Sequence, residues 1–393
     1  MKEGWKYSTL GECASFARGL TYSKRDEADV SDKIVLRSNN VELGTGRLVL
    51  DELKYLTPSF EIPDDKRVKK GSLLMCMSNG SKAHLGKVAL IENDLPYAFG
   101  GFMGLVTPNE DLDSKYFFYS LSTPTYKDFI KSLSAGANIN NIKVKDLQQF
   151  VIPLPPLSEQ QRIVSHLDSS FAKIDALKTN AGKMLDEAKA LFAAALREAM
   201  KPKEGWEEKK LGEVCSIKSV LVDPQLEEYR DLIHVGGANI ESMSGKLVDL
   251  LTASQEGITS GKFYFDDKVV LYNKIRPYLV KVSRPNFCGL CSADMYPLTP
   301  NEHITKDFLY YVLISKDFTD YAILGSSRAG MPKVNRNHLF AYCCVLPPLP
   351  EQSRIVSHLD NLSAKVRQLE ANFKKVSEEC DALKQAILRE TFE

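Results

Sequence analysis

The chain has 393 residues, 44% of them hydrophobic and 26% charged, and its 51 Lys plus Arg are balanced by 51 Asp plus Glu. This composition suits a soluble globular protein of two or three domains, contains no apolar run near the roughly 20 residues that span a bilayer, and excludes a strongly basic chain overall. Residues 1–153 carry 20 basic and 19 acidic side chains and residues 201–345 carry 18 of each, so any basic surface must be local. The start, Met1-Lys2-Glu3-Gly4-Trp5, lacks the apolar stretch of a secretion signal, and eight irregularly spaced cysteines form no disulfide framework. The expected compartment is the cytoplasm.

In chain order, each half opens alike. Trp5 and Leu10-Gly11-Glu12 return as Trp206 and Leu211-Gly212-Glu213. Asn40-Val41-Glu42 followed by Gly46-Arg47-Leu48-Val49 is echoed by Asn239-Ile240-Glu241 and Gly245-Lys246-Leu247-Val248. Between these fixed points the halves diverge. Runs of β-branched and aromatic residues at 33–36, 72–77, 87–91 and 268–272 predict short strands. Residues 115–133 and 306–324 predict helices, the first interrupted by Pro124.

Each half ends on the same segment. Leu-Pro-Pro-Leu-Ser-Glu-Gln-Gln-Arg-Ile-Val-Ser-His-Leu-Asp at 154–168 returns at 346–360 with 13 of 15 positions identical, an offset of 192. Two copies that long mark an internal repeat. Residues 1–153 and 201–345 therefore read as two similar α+β domains, and 154–200 and 346–393 as two long helices. Ser158 with Gln161 has the capping-box pattern, and Pro350 suits a first helical turn.

Along the second helix the apolar positions step by three and four without a break: Ile355, Leu359, Leu362, Val366, Leu369, Phe373, Val376, Cys380, Leu383 and Ile387. That is a coiled-coil seam. Shifting by 192 gives Ile163, Leu167, Ser170, Ile174, Leu177, Ala181, Met184, Ala188, Leu191 and Ala195 on the first. A lone helix with one apolar stripe is not stable in water, and a seam rich in small residues accepts a bulkier one closely. The two helices are expected to pair antiparallel, giving a pseudo-twofold repeat of two domains separated by a helical rod. A homodimeric coiled coil is the alternative use of the same seam. His166 and His358, at equivalent positions, read either as a titrating switch or as helix-packing residues, with packing preferred.

Catalytic motifs are missing. Cys288-Gly289-Leu290-Cys291 has metal-ligand spacing, but it is half a site, so no metal is expected. Asp64 with Glu92 and Asp94 lacks the Glu-x-Lys of a metal-dependent nuclease and has no counterpart in the second half. There is no Gly-x-Gly-x-x-Gly after a strand, no Walker loop, no Gly-x-Ser-x-Gly elbow and no Asn-Pro-Pro-aromatic tetrapeptide. The pattern is that of a binding protein.

Two variable domains, each opened by Trp and Leu-Gly-Glu and followed by Leu-Pro-Pro-Leu-x-Glu-Gln-x-Arg-Ile-Val, resemble the specificity subunit of type I restriction-modification systems over essentially the whole chain. The resemblance implies an α+β fold of two target recognition domains, each reading one half of a split double-stranded DNA site, with a pair of long antiparallel coiled-coil helices as spacer. It implies two methyltransferase subunits seated on the helices and restriction and translocation subunits beyond them. S-adenosylmethionine, ATP and magnesium would serve those partners, this chain would hold no cofactor, and flipping of the target base would fall to the methyltransferase. A heptad removed from both helices, about 10 Å, should shift the unread gap by roughly 3 base pairs.

Base readout requires Arg, Lys, Asn, Gln, Ser or Thr on elements that reach the major groove. In the first domain three segments qualify: Arg37, Asn39 and Asn40; Ser78, Asn79, Ser81 and Lys82; and Asn138, Asn140, Asn141 and Lys143. In the second, Asn273, Lys274, Arg276 and Tyr278, then Arg328, then Lys333, Asn335 and Arg336 hold the corresponding places. Lys66, Arg67, Lys69 and Lys70 suit phosphates or solvent. Because the segments differ, the expected site has two unlike halves. The rival readings are a recognition subunit of a fused restriction and methylation enzyme, a nuclease in its own right, and a coiled-coil scaffold without DNA specificity.

Overall fold

A computed structural model of the chain describes residues 5–134, 141–326 and 331–393. They form two compact units: Met1–Ala181 with Lys374–Glu393, and Gly182–Phe373.

In the first unit the antiparallel sheet runs Ala14–Arg18, Met103–Pro108, Leu73–Cys76, Val88–Leu90. Leu73, Leu74, Met75 and Cys76 are all fully buried, as expected of a central strand covered on both faces. One face packs on the helices Ser114–Ser120 and Pro124–Ser134 through Tyr116, Phe117 and Tyr126, and the other on a second, mixed sheet. That sheet orders Glu27–Ala28, Lys54–Leu56, Ile34–Leu36, Ala98–Phe99, the last pair parallel. Pro124 interrupts the helical pattern by opening a new helix, where its missing N–H costs nothing.

The second unit repeats the plan. Its antiparallel sheet runs Cys215–Ser216, Met295–Pro300, Val270–Asn273, Val282–Ser283, and a five-stranded sheet holds the parallel pair Ile233–Val235 and Gly289–Cys291. The expected helix over 306–324 is two helices, Lys306–Ile314 and Lys316–Leu324. Ser315 breaks it, because its extended backbone and a hydroxyl that accepts from the Phe318 N–H cap the second helix.

The repeated motifs are scaffold. Leu10 and Leu211 are fully buried in matching helical turns, and Glu12 and Glu213 accept from the backbone N–H of Thr9 and Lys210 at 2.9 and 2.7 Å. Gly46 and Gly245, both at φ +65°, close a turn against Val88 and Val282 carbonyls that a Cβ would strike at 2.8 and 2.4 Å. Each domain closes on itself with a two-stranded ribbon, Lys6–Thr9 with Val151–Leu154 and Glu207–Lys210 with Cys343–Leu346. The ribbon delivers the chain into the Pro-Pro turn.

The long helices are Leu157–Ala199 and Leu349–Phe392. The first begins at Leu157, with the Pro156 carbonyl accepting from Glu159 and Gln160 N–H, so Ser158 lies inside the first turn and is no cap. Gln160 and Gln352 are completely buried clamps. Gln160 Oε1 accepts from Asp113 N–H at 2.8 Å while Nε2 donates to the Asp111 and Pro155 carbonyls. Gln352 repeats all three bonds with Thr305, His303 and Pro347. Next along the helix, Ile163 and Leu167, and likewise Ile355 and Leu359, enter the domain cores. Asp168 and Asp360 accept from Tyr119 and Tyr311 hydroxyls at 2.6 and 2.5 Å. Glu159–Arg162 and Glu351–Arg354 are surface forks, and His166 and His358 are exposed, so the two histidines do not pack.

In each unit the helix segments run antiparallel. In the first, Lys178 meets Asp381 and Lys384 meets Asp175, and in the second Gly182 and Lys189 face Phe373 and Glu370. The seam on the second helix runs through Leu362, Val366, Leu369, Phe373 and Val376, half-buried, to buried Cys380 and half-buried Ile387. Part of the expected seam is corrected. Ile174 is buried, but Leu177, Met184 and Leu191 are 58, 59 and 63% exposed, and Leu383 is 51% exposed. After Ile174 the seam steps by four to Lys178 rather than by three, and continues through Ala181, Leu185, Ala188, Phe192 and Leu196. Both phases satisfy a three-four pattern. Lysine stems cover apolar surface while their ammonium groups find Asp381 and Asp175, which lets Lys178 and Lys384 stand where leucines were expected.

Candidate nucleic-acid interface

In the first unit Leu36 pairs in parallel with Phe99, and Cys76 pairs with Met103. Three segments leave those strand ends, starting at Arg37, Met77 and Gly100. They are tied together by Gly100 N–H on the Leu36 carbonyl, Met103 N–H on Gly100, and Ile142 N–H on Met77, at 2.8 to 2.9 Å. The result is a cleft of about 820 Å³ lined by, among others, Tyr22, Arg37, Asn39, Ser78, Asn79 and Phe102.

The second unit uses the same ties. Ser292 N–H bonds the Val235 carbonyl, Met295 N–H bonds Ser292, and Val334 N–H bonds Lys274, at 2.9 to 3.0 Å, while Asn273 pairs with Met295. These bonds align the two units position by position. Arg37, Ser38 and Asn39 correspond to Gly236, Gly237 and Ala238; Ser78 and Asn79 to Ile275 and Arg276; Phe102 to Asp294; and Asn141 to Lys333. One frame carries two different sets of side chains.

The frame sorts the expected base readers. Arg37 is exposed at the cleft, and Asn39 donates to the Glu52 carbonyl at 3.2 Å from an exposed position. Asn40 is 1% exposed, accepts from Arg37 N–H and donates to the Val49 and Glu52 carbonyls, and Asn239 does the same with Gly236, Val248 and Asp249. Asn40 is a scaffold residue, not a base reader. Asn79 lines the cleft, but its amide bonds the Ser38 hydroxyl and Ser81 N–H, so it shapes the loop. Ser78 bridges to Asn141, and Ser81, Lys82, Asn141 and Lys143 are at the surface. Asn138, Asn140 and Arg328 lie outside the described residues.

In the second unit Asn273 and Lys274 are corrected as well. Asn273, 8% exposed, accepts from Ile275 N–H. Lys274 donates to the Ala293 carbonyl and lies over the Tyr296 ring, and burial, then Lys333 nearby, holds its pKa below the usual lysine value. Both hold the frame together. Asn335 caps the helix Arg336–Phe340 through His338 N–H, and Arg336 stacks over Phe340. Of the expected cationic and aromatic readers in this unit, Arg276, Tyr278, Lys333 and Arg336 are exposed. Arg276, at φ +52°, is held by its N–H on the Pro332 carbonyl.

Sequence reasoning missed Tyr22 and Phe102, which reach the cleft from loops with no repeat signal. The Gly100-Gly101-Phe102 run was the one local clue. Cys288 is exposed and Cys291 buried, its thiol pushed up to about 12 by burial. Among the described residues no group of three or more His, Cys, Asp or Glu is placed to hold a metal ion. Among the same residues no helix is long and apolar enough to cross a membrane.

Comparison with known proteins agrees with this geometry. The specificity subunit of the type I restriction enzyme EcoDI of Escherichia coli is 31% identical over 65% of each chain. That of StySPI of Salmonella potsdam is 24% identical over all of this chain and 89% of the relative. A chain from a solved structure treating complex assembly and conformational transition of the type I R-M system shares the fold, with a TM-score of 0.75 at 19% identity over 99% of this chain and 97% of that one. The family model described as the type I restriction modification DNA specificity domain matches residues 2–183 and again 203–376. With both halves matched, the chain belongs to the type I restriction-modification DNA specificity family.

Proposed function

We propose that the cleft of the first unit and the corresponding surface of the second each read one half of an asymmetric, split double-stranded DNA site. The chain is a specificity subunit and not itself an enzyme; methyl transfer and ATP-dependent cleavage belong to partner subunits. The carrying observation is the shared frame with unlike side chains. Arginine comes from the segment after Leu36 in one unit and from the segment after Asn273 in the other, Arg37 against Arg276. Two readers built alike but armed differently recognise different short sequences.

The long helices set the separation of the two half-sites and seat two methyltransferase subunits, to which restriction subunits add. Those partners bind S-adenosylmethionine, ATP and magnesium, and they supply much of the phosphate contact that a chain of zero net charge does not. The working compartment is the cytoplasm, where the host DNA lies.

Single-molecule sequencing of methylated adenines, in a host carrying this chain and its modification partner, tests the reading. The expected motif has two unlike parts flanking a fixed unread gap. A palindromic motif, or methylation with no motif, would overturn it.

A further inference from the structure

We propose that Phe102 is a specificity-determining residue of the first domain, its ring packing against the 5-methyl group of a thymine in the major groove of that domain's half-site. The inference rests on the DNA-reading function above and deepens it.

Phe102 is 72% exposed, more than any other described aromatic side chain, while Phe99, three residues earlier, is fully buried. A phenylalanine left in water forgoes the burial that makes its neighbours part of the core. Its turn cannot retract to recover it. The Phe102 carbonyl accepts from both Met77 and Ser78 N–H, at 2.9 and 3.1 Å, and Gly19 and Leu20 N–H bond the Met103 and Phe99 carbonyls on the other side. Gly19 lies so close that a Cβ there would meet the Gly100 carbonyl oxygen at 2.0 Å. The ring is therefore held out by a fixed backbone, on the cleft that Arg37 and Asn39 also line.

Among the bases, only thymine offers an apolar group at the major-groove edge, its methyl, and apolar side chains are what read it. A wedge that kinks DNA would enter from the minor groove between base steps. A turn bonded on both flanks into a sheet, beside hydrogen-bonding side chains suited to base edges, favours the groove contact. The second unit supports the same logic. At the matching position its Asp294 carbonyl accepts from Lys274 N–H as Phe102 does from Met77, yet the side chain is an exposed carboxylate, 3.9 Å from the Lys274 ammonium and suited to the amino group of cytosine. The backbone tie is kept and the exposed side chain is exchanged.

The test uses the full chain with its modification partner and duplexes bearing the methylated motif. Each thymine of the first half-site is replaced in turn by deoxyuridine, which lacks only the methyl group. One replacement should weaken wild-type binding about fourfold, the worth of one buried methyl, and should have no effect on the Phe102→Ala variant. That variant should keep its preference at the second half-site, which certifies that it is folded. A first half-site without thymine, no sensitive thymine, or equal sensitivity in both proteins would overturn the inference while leaving DNA reading intact. Absence of any split motif in the wild type would instead remove the function on which it rests.

Discussion

The two units share a backbone frame at the strand ends, although one mixed sheet has four strands and the other five, and they differ in chemistry along a boundary that follows what each side chain touches. Asn40 and Asn239 bond matching backbone groups, as do Gln160 and Gln352, Glu12 and Glu213. Where the backbone groups that a side chain completes are themselves repeated, the residue recurs, because a buried unpaired group is expensive, whereas Asn79, Asn273 and Lys274 hold bonds found in one unit only. Where it faces open space at the strand ends, Arg37 has become Gly236, Phe102 has become Asp294 and Asn141 has become Lys333. The repeat marks scaffold, and the readers are found among the positions that fail to repeat.

The strongest way to break this comparison is to remove the clamps. Gln160→Ala strands Asp113 N–H and the Asp111 and Pro155 carbonyls at a buried site, and Gln352→Ala strands three equivalent groups. Each should cost about 3 kcal/mol, measured as a shift of the urea unfolding midpoint at unchanged slope. Near-equal losses would establish one joint used twice. A loss confined to one half would mean that only one clamp bears on stability.

The readers come next. Arg37→Ala should lower affinity about tenfold and relax base preference at one position of the first half-site, and Arg276→Ala should do so only at the second. Binding to duplexes randomised in one half at a time separates them. Uniform weakening across all sequences would reassign either arginine to phosphate contact, and the salt dependence would then flatten by about one ion.

Much of this was legible in the sequence, and the failures have physical causes. The repeated 15 residues announced two helices and two domains because a scaffold used twice keeps its clamps. Asn40, Asn273 and Lys274 misled because amide and ammonium groups serve bases and buried carbonyls equally well, and only burial tells them apart. Phe102 was passed over because a rule that seeks hydrogen-bonding groups discards an exposed ring. Ser315 broke a helix that periodicity joined, since capping is a matter of local backbone and not of the apolar pattern.

The smallest effect tests the helix seam, where sequence and structure differ by one residue. Met184 was expected inside and is 59% exposed, whereas Leu185 is 8% exposed. Met184→Gln exchanges one long, unbranched helix former for another at a solvent-facing position, so it should change stability by less than about 0.5 kcal/mol in the same urea experiment. A loss above about 2 kcal/mol would put Met184 in the seam and restore the phase that steps from Ile174 to Leu177. The distinction reaches beyond one residue. If the seam runs through Lys178 and Leu185, the aliphatic stem of Lys178 is part of the joint, and the first helix is not a copy of the second shifted by 192 residues but a complementary face, with Gly182 making room for Phe373.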